Sequence, residues 1–405
     1  MKNFFIFFIF LLFTVFTYSY DYIFLFIADG MGIPHMQLAN LYKQYSYQEE
    51  LNMFKIPYFS LVDTSSLNGV TDSAAAITAI LSKEKTYNDR INIDRNGKKL
   101  FPITYDLKSL GYQIGVITTN TIIDATPAGA YASTVNRRNY DNIKQDLLNS
   151  GFDLFIGGGK PYFDKNIASQ FGYTYSEELK DQVTKNKEIV MLYYGNFPFL
   201  TDDFNRISLK DTLEYALKKF EDEPFFIIIE GGRIDHASHA HDTISMIYEI
   251  WDFDDATKVA LDFLNQQPED TLIIVTADHS TGGLSLGDGF ISTSKIPNND
   301  FSYEKLINIF NRYDNYEEFK KALNLKIDLE APFYNTKNSE DSVTYQSELI
   351  KAFYDIQNQA SGLNWGTFGH TLDYAPFFSN IPTESWLLLN SEIFSIFEIS
   401  SSKFE

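Results

Sequence analysis

Five short apolar runs, each bounded by turn residues, constrain the fold of this 405-residue chain more than any other feature. They are rich in Ile, Val and Phe without alternating polar residues, which is typical of strands that are covered on both faces. Helical patterns lie between them, so the sequence predicts an α/β fold with a mostly parallel central sheet and helices on both faces, a three-layer α/β/α arrangement. The runs cover residues 22–28, 113–118, 154–156, 225–229 and 271–276.

Two helices between the predicted strands have clear signals. Ser208 and Asp211 form a capping-box pattern at the start of one, and residues 240–264 have the pattern of a longer one. Residues 286–364 differ, since they are rich in Asn, Tyr and Lys and contain helical patterns at 303–311, 317–323 and 342–357 without a strong buried strand. We expect a cap-like or crown-like insertion, part of it a flexible surface elaboration, within a catalytic domain formed by residues 20–285 and 365–405.

Residues 1–19 have the pattern of a secretory signal peptide. Lys2 precedes an apolar run over residues 4–15, which is shorter than the roughly 20 residues of a membrane-spanning helix. Thr17 and Ser19 occupy the −3 and −1 positions of a cleavage site before Tyr20. The alternatives are an uncleaved anchor and a buried strand. The sequence predicts a chain that is exported to the periplasm or the extracellular medium and keeps no stable membrane anchor after cleavage.

The composition excludes several chemistries. The 54 Asp and Glu residues outnumber the 33 Lys and Arg residues, giving a formal charge of −21. This acidic surplus argues against binding to nucleic acid or to anionic lipid. The sequence contains no Cys, so thiolate catalysis and disulfide bonds are excluded. A transition-metal site would therefore be built from imidazole and carboxylate groups.

Carboxylate and imidazole side chains follow three of the predicted strands. Asp29 follows the first run, and the adjacent pair Asp278 and His279 follows the last. Asp235 and His239, shortly after the fourth run, are spaced so that one helical turn presents both to a single ion. Each pattern alone is more often a turn or a surface helix, but three of them after buried strands rarely coincide. The set favours a metal site at the carboxyl ends of the strands.

Ser73 is a candidate nucleophile. It lies between a turn and a run of small residues with high helix propensity, and the N-terminus of a helix attracts anions through its N–H groups and dipole. The alternative is a helix N-cap, a position that favours serine. The sequence has no Gly-x-Ser-x-Gly motif, so a nucleophilic Ser73 needs activation by a metal rather than by a histidine base.

Six segments in order resemble the motifs of the alkaline phosphatase family: IADGMG, VTDSAAAITA, DATPAGAYASTVNRR, EGGRIDHASH, VTADHSTGG and GHTLDYAPFF. The resemblance covers residues 22–284 and resumes at residue 365. It implies hydrolysis of phosphate monoesters to an alcohol and inorganic phosphate through a phosphoserine. Members of the family are often dimeric, so a homodimer agrees with the resemblance.

The resemblance also implies a role for individual residues. Ser73 matches the nucleophile, and Arg137 matches the arginine that clamps the phosphate. His35 and His241 match no ligand, and we expect them to be ordinary surface or helix histidines. The implied metal ligands are Asp29, Asp278 and His279 for one zinc, Asp235, His239 and His370 for a second zinc, and Asp29, Thr126 and Glu230 for a magnesium.

Two other classes of function remain open at this point. One is a phosphodiesterase, sulfatase or phosphomutase on a related sheet, although sulfatases carry a Cys- or Ser-x-Pro-x-Arg pattern and Ser73 is followed by three alanines. Diesterases commonly use Thr as nucleophile and lack the DATPA segment with its arginine. The other is a non-catalytic exported relative that binds phosphate or metal, against which the presence of both Ser73 and Arg137 argues.

Overall fold

The computed structural model of the protein describes residues 20–221, 223–287, 289–297, 299–383 and 385–395. The predicted signal peptide, residues 1–19, lies outside the described residues. In the described part of the chain, no helix is both long enough and apolar enough to cross a membrane.

The described strands form one large sheet and two small ribbons. They are β1 (Tyr22–Ile27), β2 (Tyr58–Asp63), β3 (Gln113–Thr121), β4 (Leu154–Gly158), β5 (Thr174–Ser176), β6 (Glu188–Tyr193), β7 (Phe225–Glu230), β8 (Thr271–Thr276), β9 (Ser280–Thr281), β10 (Leu284–Leu286), β11 (Leu363–Trp365), β12 (His370–Thr371), β13 (Ala375–Ser379) and β14 (Leu387–Leu389). The large sheet has the order β14-β2-β13-β8-β1-β7-β3-β4-β6-β5. β13 is antiparallel to both of its neighbours, and the other neighbouring pairs are parallel.

Helices surround this sheet, which confirms the predicted α/β fold with a mostly parallel sheet. They are α1 (Ile33–Tyr47), α2 (Ser73–Ser82), α3 (Ile103–Ser109), α4 (Ala125–Ala128), α5 (Tyr140–Ser150), α6 (Lys165–Gln170), α7 (Leu209–Lys219), α8 (Arg233–His239), α9 (Thr243–Leu264), α10 (Tyr303–Phe310), α11 (Tyr316–Ala322), α12 (Glu330–Lys337) and α13 (Glu348–Ala360).

The starts of two helices follow from their capping residues. Ser208 and Asp211 form the predicted capping box of α7. α9 begins later than the sequence pattern indicates, because His241 has a φ of 57° and interrupts the helix before it. The side chain of Asp242 then accepts a hydrogen bond from the backbone N–H of Ser245 and caps α9.

The central strands are completely covered, and this burial fixes their register. Every residue of β7 and β8 is buried, and β1 is buried after its first residue. Phe24, Phe225 and Phe263 pack edge to face between β1, β7 and α9, with ring centroids 5.1 to 5.6 Å apart. Because a register shift would separate these packed rings, the carboxyl ends of the strands are held in fixed positions relative to one another.

The segment between β10 and β11 contains α10, α11, α12 and α13. β10 and β11 pair antiparallel at its base, with Leu284 opposite Trp365. The patterns at 303–311 and 317–323 match α10 and α11 closely, whereas the pattern at 342–357 starts too early because α13 begins at Glu348. α12 was not predicted, since its short sequence contains Pro332 and has little amphipathic pattern. The division into a catalytic domain and a cap stays a prediction.

Candidate active site

The candidate site lies at the carboxyl ends of β8, β1, β7 and β3, which are consecutive neighbours in the sheet. Ile27, at the end of β1, pairs with Thr276 of β8 on one side and with Glu230 of β7 on the other. Asp29 and Asp278 each follow two residues beyond their strands. The register therefore brings the side chains of Asp29, Glu230 and Asp278 together at the carboxyl ends of three neighbouring strands.

Gly30 lets the loop after β1 approach α8 closely. Its φ is 78°, and a Cβ atom at this position would lie only 2.9 Å from the Cα of Asp235. Only glycine combines this left-handed backbone with the space that Asp235 needs. Gly30 thus allows the loop after β1 to pack directly against Asp235 on α8.

Ser73 is the first residue of α2, but it does not cap the helix. Asp72 is the N-cap, because its Oδ1 accepts a hydrogen bond from the backbone N–H of Ala75 at 2.9 Å. The interpretation of Ser73 as the capping residue is therefore wrong. Its Oγ instead lies 3.2 Å from Nε2 of His279, at the edge of the acidic cluster.

Asp29, Asp278 and His279 form the first cluster, and all three are buried. One ligand atom from each lies within 4.8 Å of the others. Nε2 of His279 is 3.5 Å from Oδ1 of Asp29 and 3.2 Å from Oδ2 of Asp278. These two carboxylate oxygens are buried and have no hydrogen-bond partner. Unsatisfied carboxylate oxygens that converge with an imidazole nitrogen fit a bound cation with N and O ligands.

The charge balance of this cluster also fits a cation. Burial raises the pKa of Asp29 well above its usual range, and the charges of Asp278, Asp235 and Glu230 raise it further. Burial likewise raises the pKa of Asp278 to about 7, with Asp235 as the next cause. Several carboxyl groups thus repel one another in a site that excludes water, and a positive ion would stabilise their charged forms.

Asp235, His239 and His370 form a second cluster. Nε2 of His239 lies 3.3 Å from Oδ2 of Asp235, and Nε2 of His370 lies 3.8 Å from Oδ1. Nδ1 of His239 contacts the carbonyl oxygen of Phe368, and Nδ1 of His370 contacts that of Thr71. A ring whose Nδ1–H donates to a carbonyl presents the lone pair of Nε2 to the cluster, which is the orientation of a metal ligand.

The two clusters are immediate neighbours. β9 and β12 pair directly after His279, with His370 opposite Thr281. The rings of His279 and His370 stack with their centroids 3.6 Å apart. Thr281 also donates a hydrogen bond of 2.5 Å from its Oγ1 to Oδ1 of Asp235. The small ribbon therefore joins the ligands of both clusters and holds Asp235 in place.

Thr126, on α4, and Glu230, at the end of β7, lie beside the first cluster. Oγ1 of Thr126 and Oε1 of Glu230 are buried without a hydrogen-bond partner, while Thr118 donates to Oε2 of Glu230. Burial raises the pKa of Glu230 to about 8, and the hydrogen bond from Thr118 partly offsets this effect. Hydroxyl and carboxylate oxygens without an imidazole are the donors that suit a hard cation such as magnesium.

Arg137 is held by two carboxylates next to the nucleophile. Its Nη1 lies 3.3 Å from Oδ2 of Asp72, and its Nη2 lies 3.2 Å from Oδ1 of Asp124. Burial disfavours the charged guanidinium, but Asp124, Asp72 and Asp29 outweigh it and raise the pKa of Arg137. A planar fork fixed in this way is preorganised to bind two oxygens of one phosphate.

The structure places all ten predicted site residues at the carboxyl ends of these strands, and it shows the surroundings of the two histidines that match no ligand, His35 and His241. His35 lies on α1 as expected, but it is fully buried rather than on the surface. His241 is buried and lies outside any helix, and its ring stacks on those of Phe368 and Trp365. The pattern of ligand spacing indicates nothing about such packing.

Four residues that position the site were not assigned a role from the sequence. Asp72 and Asp124 orient Arg137, and Thr118 and Thr281 donate to Glu230 and Asp235. For Asp72, the available signal was its position directly before the candidate nucleophile Ser73. The contacts of the others depend on which strands are neighbours, and the sequence pattern alone did not specify that order.

Comparisons with known proteins identify one family. A sequence model of a family described as alkaline phosphatase matches residues 21–350. The chain is 30% identical over 401 aligned positions to alkaline phosphatase 4 of Bacillus subtilis, covering 89% of this chain and 83% of that protein. It is 29% identical to alkaline phosphatase 3 of the same organism, covering 89% of this chain and 84% of that protein.

Solved structures show the same similarity. The cold-active alkaline phosphatase of a psychrophilic Shewanella species superposes with a TM-score of 0.80 at 27% identity, covering 92% of this chain and 98% of that one. The alkaline phosphatase of the Antarctic bacterium TAB5 superposes with a TM-score of 0.69 at 25% identity, covering 94% of this chain and 98% of that one.

Proposed function

Since this chain belongs to the alkaline phosphatase family and is a phosphoric monoester hydrolase, we propose that Ser73 is its nucleophile and Arg137 its phosphate clamp. Family membership sets aside the phosphodiesterase, sulfatase, phosphomutase and non-catalytic alternatives. The observation that carries this assignment is the position of Ser73, whose Oγ lies 3.2 Å from Nε2 of His279. Asp72, the residue before it, contacts the guanidinium of Arg137.

The family is metal-dependent, and three groups of residues fit metal ions. We assign zinc to Asp29, Asp278 and His279 and to the cluster of Asp235, His239 and His370, because both combine imidazole with carboxylate. We assign magnesium to Asp29, Thr126 and Glu230, which offer oxygen ligands. Such ions, when bound, stabilise the charge on the entering and leaving oxygens and lower the pKa of water.

The residues of the chain then act in two steps. Arg137 binds two phosphate oxygens and orients the ester, while the N-terminus of α2 faces the same anion. Ser73 loses its hydroxyl proton to solvent, Oγ bonds to phosphorus, and the bond between phosphorus and the ester oxygen breaks. The departing oxygen takes up a proton as the alcohol leaves. A water molecule next attacks phosphorus, the Oγ–phosphorus bond breaks, and a proton from this water passes to Oγ, so that the Ser73 hydroxyl is restored and inorganic phosphate leaves.

Three further proposals concern the whole chain. The signal-like pattern of residues 1–19 supports export with cleavage before Tyr20. N-terminal sequencing of the secreted protein tests this cleavage.

The family resemblance supports a homodimer, which light scattering tests. The ribbon of β10 and β11 at the base of residues 286–364 supports a cap-like insertion.

Replacing Ser73 tests the proposed function most simply. Ser73→Ala removes the nucleophile and should nearly abolish hydrolysis of p-nitrophenyl phosphate, whereas Ser82→Ala at the other end of α2 should keep most of the activity. The diester and sulfate analogues should be poor substrates in every variant. Turnover of the monoester by Ser73→Ala at the wild-type rate would contradict the proposal.

Crystallography tests the assignment of the metals. Crystals of the active enzyme should show two anomalous scattering peaks at the zinc edge, one in each cluster that contains imidazole. The position between Thr126 and Glu230 should show density without zinc anomalous signal. A fully active enzyme that contains no zinc would overturn this assignment.

A further inference from the structure

Tyr345 brings an aromatic ring from the segment between α12 and α13 to the edge of the active site. Its ring centroid lies 5.7 Å from that of His239, which belongs to the second cluster. The side chain is half-buried, so one part of the ring packs on the protein and another part faces solvent. The two rings are tilted by 34° relative to each other.

The direction of the reaction determines what passes beside Tyr345. In the proposed function, Ser73 attacks phosphorus from the side of His279, and an in-line displacement expels the leaving oxygen on the opposite side. The second cluster, with Asp235 and His239, lies next to the first, and we assign the leaving-group side to it. The organic part of the ester is attached to the leaving oxygen. It therefore emerges at His239, where Tyr345 lies.

A second ring continues this aromatic surface. Phe368 lies 6.3 Å from Tyr345, centroid to centroid, and it is half-buried as well. The ring of His241 stacks on it at 4.2 Å with an angle of 10° between the planes, and Nζ of Lys351 also lies over the Phe368 ring, 4.9 Å from its centroid. His241 in turn stacks on Trp365 at 5.2 Å. This continuous stack holds Phe368 rigidly, so a substrate ring would meet a surface that is already ordered.

A further ring supports that of Tyr345. The ring of Tyr303, on α10, packs edge-on against Tyr345 at 6.3 Å. The ring is thus supported by another part of the same insertion.

We propose that Tyr345 and Phe368 form an aromatic wall on the leaving-group side of the active site, which makes the enzyme prefer phosphate monoesters of flat aromatic alcohols over those of small alkyl alcohols. This inference rests on the proposed function, because the leaving-group side is defined by Ser73. It gives the insertion a role in substrate selection. A stacked ring pair contributes enough to change an affinity roughly two- to tenfold.

Binding of phosphonates to the holoenzyme tests the wall without relying on turnover. Benzylphosphonate has the shape of phenyl phosphate, and ethylphosphonate has that of methyl phosphate, but neither can be hydrolysed. Calorimetry should show tighter binding of benzylphosphonate to the wild type. Tyr345→Ala should reduce the ratio of the two affinities roughly two- to tenfold. Tyr345→Phe should keep the ratio, because it keeps the ring.

Two further variants make the result specific. Tyr345→Leu keeps an apolar side chain without an aromatic face, so it should lose the preference even if the alanine variant fails to fold. Tyr45→Ala removes an exposed tyrosine that packs on Tyr42 near the end of α1 and should leave the ratio unchanged. An unchanged ratio in both Tyr345→Ala and Tyr345→Leu, or a ratio lost in Tyr345→Phe, would overturn the proposal.

Inorganic phosphate separates this inference from the proposed function. It has no organic group, so every Tyr345 variant should bind it as tightly as the wild type does. If the variants still bind phosphate but the ratio of phosphonate affinities does not change on replacing Tyr345, the proposed aromatic wall is wrong. The assignment of Ser73 and Arg137 then stands. If the wild-type holoenzyme fails to bind phosphate, the proposed function fails and the wall fails with it.

Discussion

Asp72 shows how single side chains organise this site. One of its oxygens caps α2 at Ala75, and the other contacts the guanidinium of Arg137. The residue therefore fixes the start of the helix that carries Ser73 and the orientation of the clamp at the same time. We expect the loss of either contact to move Ser73 relative to Arg137. This coupling explains why an aspartate directly precedes the candidate nucleophile.

The clamp depends on the planar guanidinium of Arg137. Arg137→Lys keeps the charge but cannot make two parallel hydrogen bonds, so phosphate should bind about ten- to hundredfold more weakly, which corresponds to about 1.5–3 kcal/mol. The inhibition constant of inorganic phosphate measures this change. Arg138→Lys, an exposed neighbour, is the matched control. Equal inhibition constants for the two variants would contradict the role of Arg137.

Thr281 positions Asp235 through the hydrogen bond from its hydroxyl. Thr281→Val keeps the shape of the side chain but leaves the carboxylate without this donor, and metal affinity should fall about 10- to 100-fold. Competition with a chelator at fixed pH measures the affinity. Thr281→Ser restores the hydroxyl and should recover most of it. A valine variant that holds zinc as tightly as the wild type would show that the bond does not matter.

The five consecutive strands from β8 to β4 could be predicted from the sequence, whereas the strands on either side of them, including the buried β13, could not. The run at 271–276 coincides with β8, and the other runs match β1, β3, β4 and β7 within a few residues. These strands are buried on both faces, which produces a continuous apolar signal. β2 is exposed at its first residues and lacks that signal. β6 fits the same criterion but was not among the predicted strands.

Residues that come together from distant elements were harder to predict. His370 lies at the start of β12, and its match to a ligand came only from the family resemblance. The pairing of β12 with β9 brings it to His279. Two-residue strands carry no periodic pattern, so the sequence does not specify such a ribbon. The local motifs therefore predict which residues belong to the site, while the strand order determines how they meet.

A buried ionic group links α9 to the loop before α7. Nη2 of Arg206 lies 2.7 Å from Oε2 of Glu249 and 2.9 Å from Oδ2 of Asp252. One cation thus faces two carboxylates away from water. Burial raises the pKa of Asp252 to about 7, and the charge of Glu249 adds to the effect although Arg206 opposes it. The free energy of unfolding should therefore depend on this group.

The sign of this dependence follows from the raised pKa. The folded protein binds the Asp252 proton more tightly than the unfolded chain, so this stabilising contribution is complete below about pH 4 and is lost as the pH rises to about 7, amounting to at most about 4 kcal/mol. Asp252→Asn cannot titrate and should show a smaller loss of stability between these values. Urea denaturation at several pH values measures it.

The control for this experiment is Asp262→Asn, which replaces an exposed carboxylate on the same helix. It should keep the pH dependence of the wild type. Identical slopes for the wild type and Asp252→Asn would mean that Asp252 is already charged in the folded protein.

At the scale of the whole molecule, we expect metal binding to stabilise the folded protein in place of disulfide bonds. The sequence offers no disulfide, and the buried acidic side chains of the two clusters repel one another unless cations are bound. Removing the metals with a chelator should lower the Tm by on the order of 5 °C or more, because ions that bind only the folded state stabilise it. Calorimetry before chelation, after it and after zinc is restored measures the change. Equal Tm values in all three samples would contradict metal stabilisation.

The central claim is that Ser73 carries the phosphoryl group during turnover. The most direct measurement is to quench the enzyme in acid while it hydrolyses a phosphate monoester and to map the phosphorylated residue by tandem mass spectrometry. We expect one phosphoryl group on the peptide that contains Ser73, located on that serine, and none in Ser73→Ala. A phosphoryl group on a serine, threonine or tyrosine other than Ser73, or the same amount of phosphoserine in Ser73→Ala as in the wild type, would contradict the account.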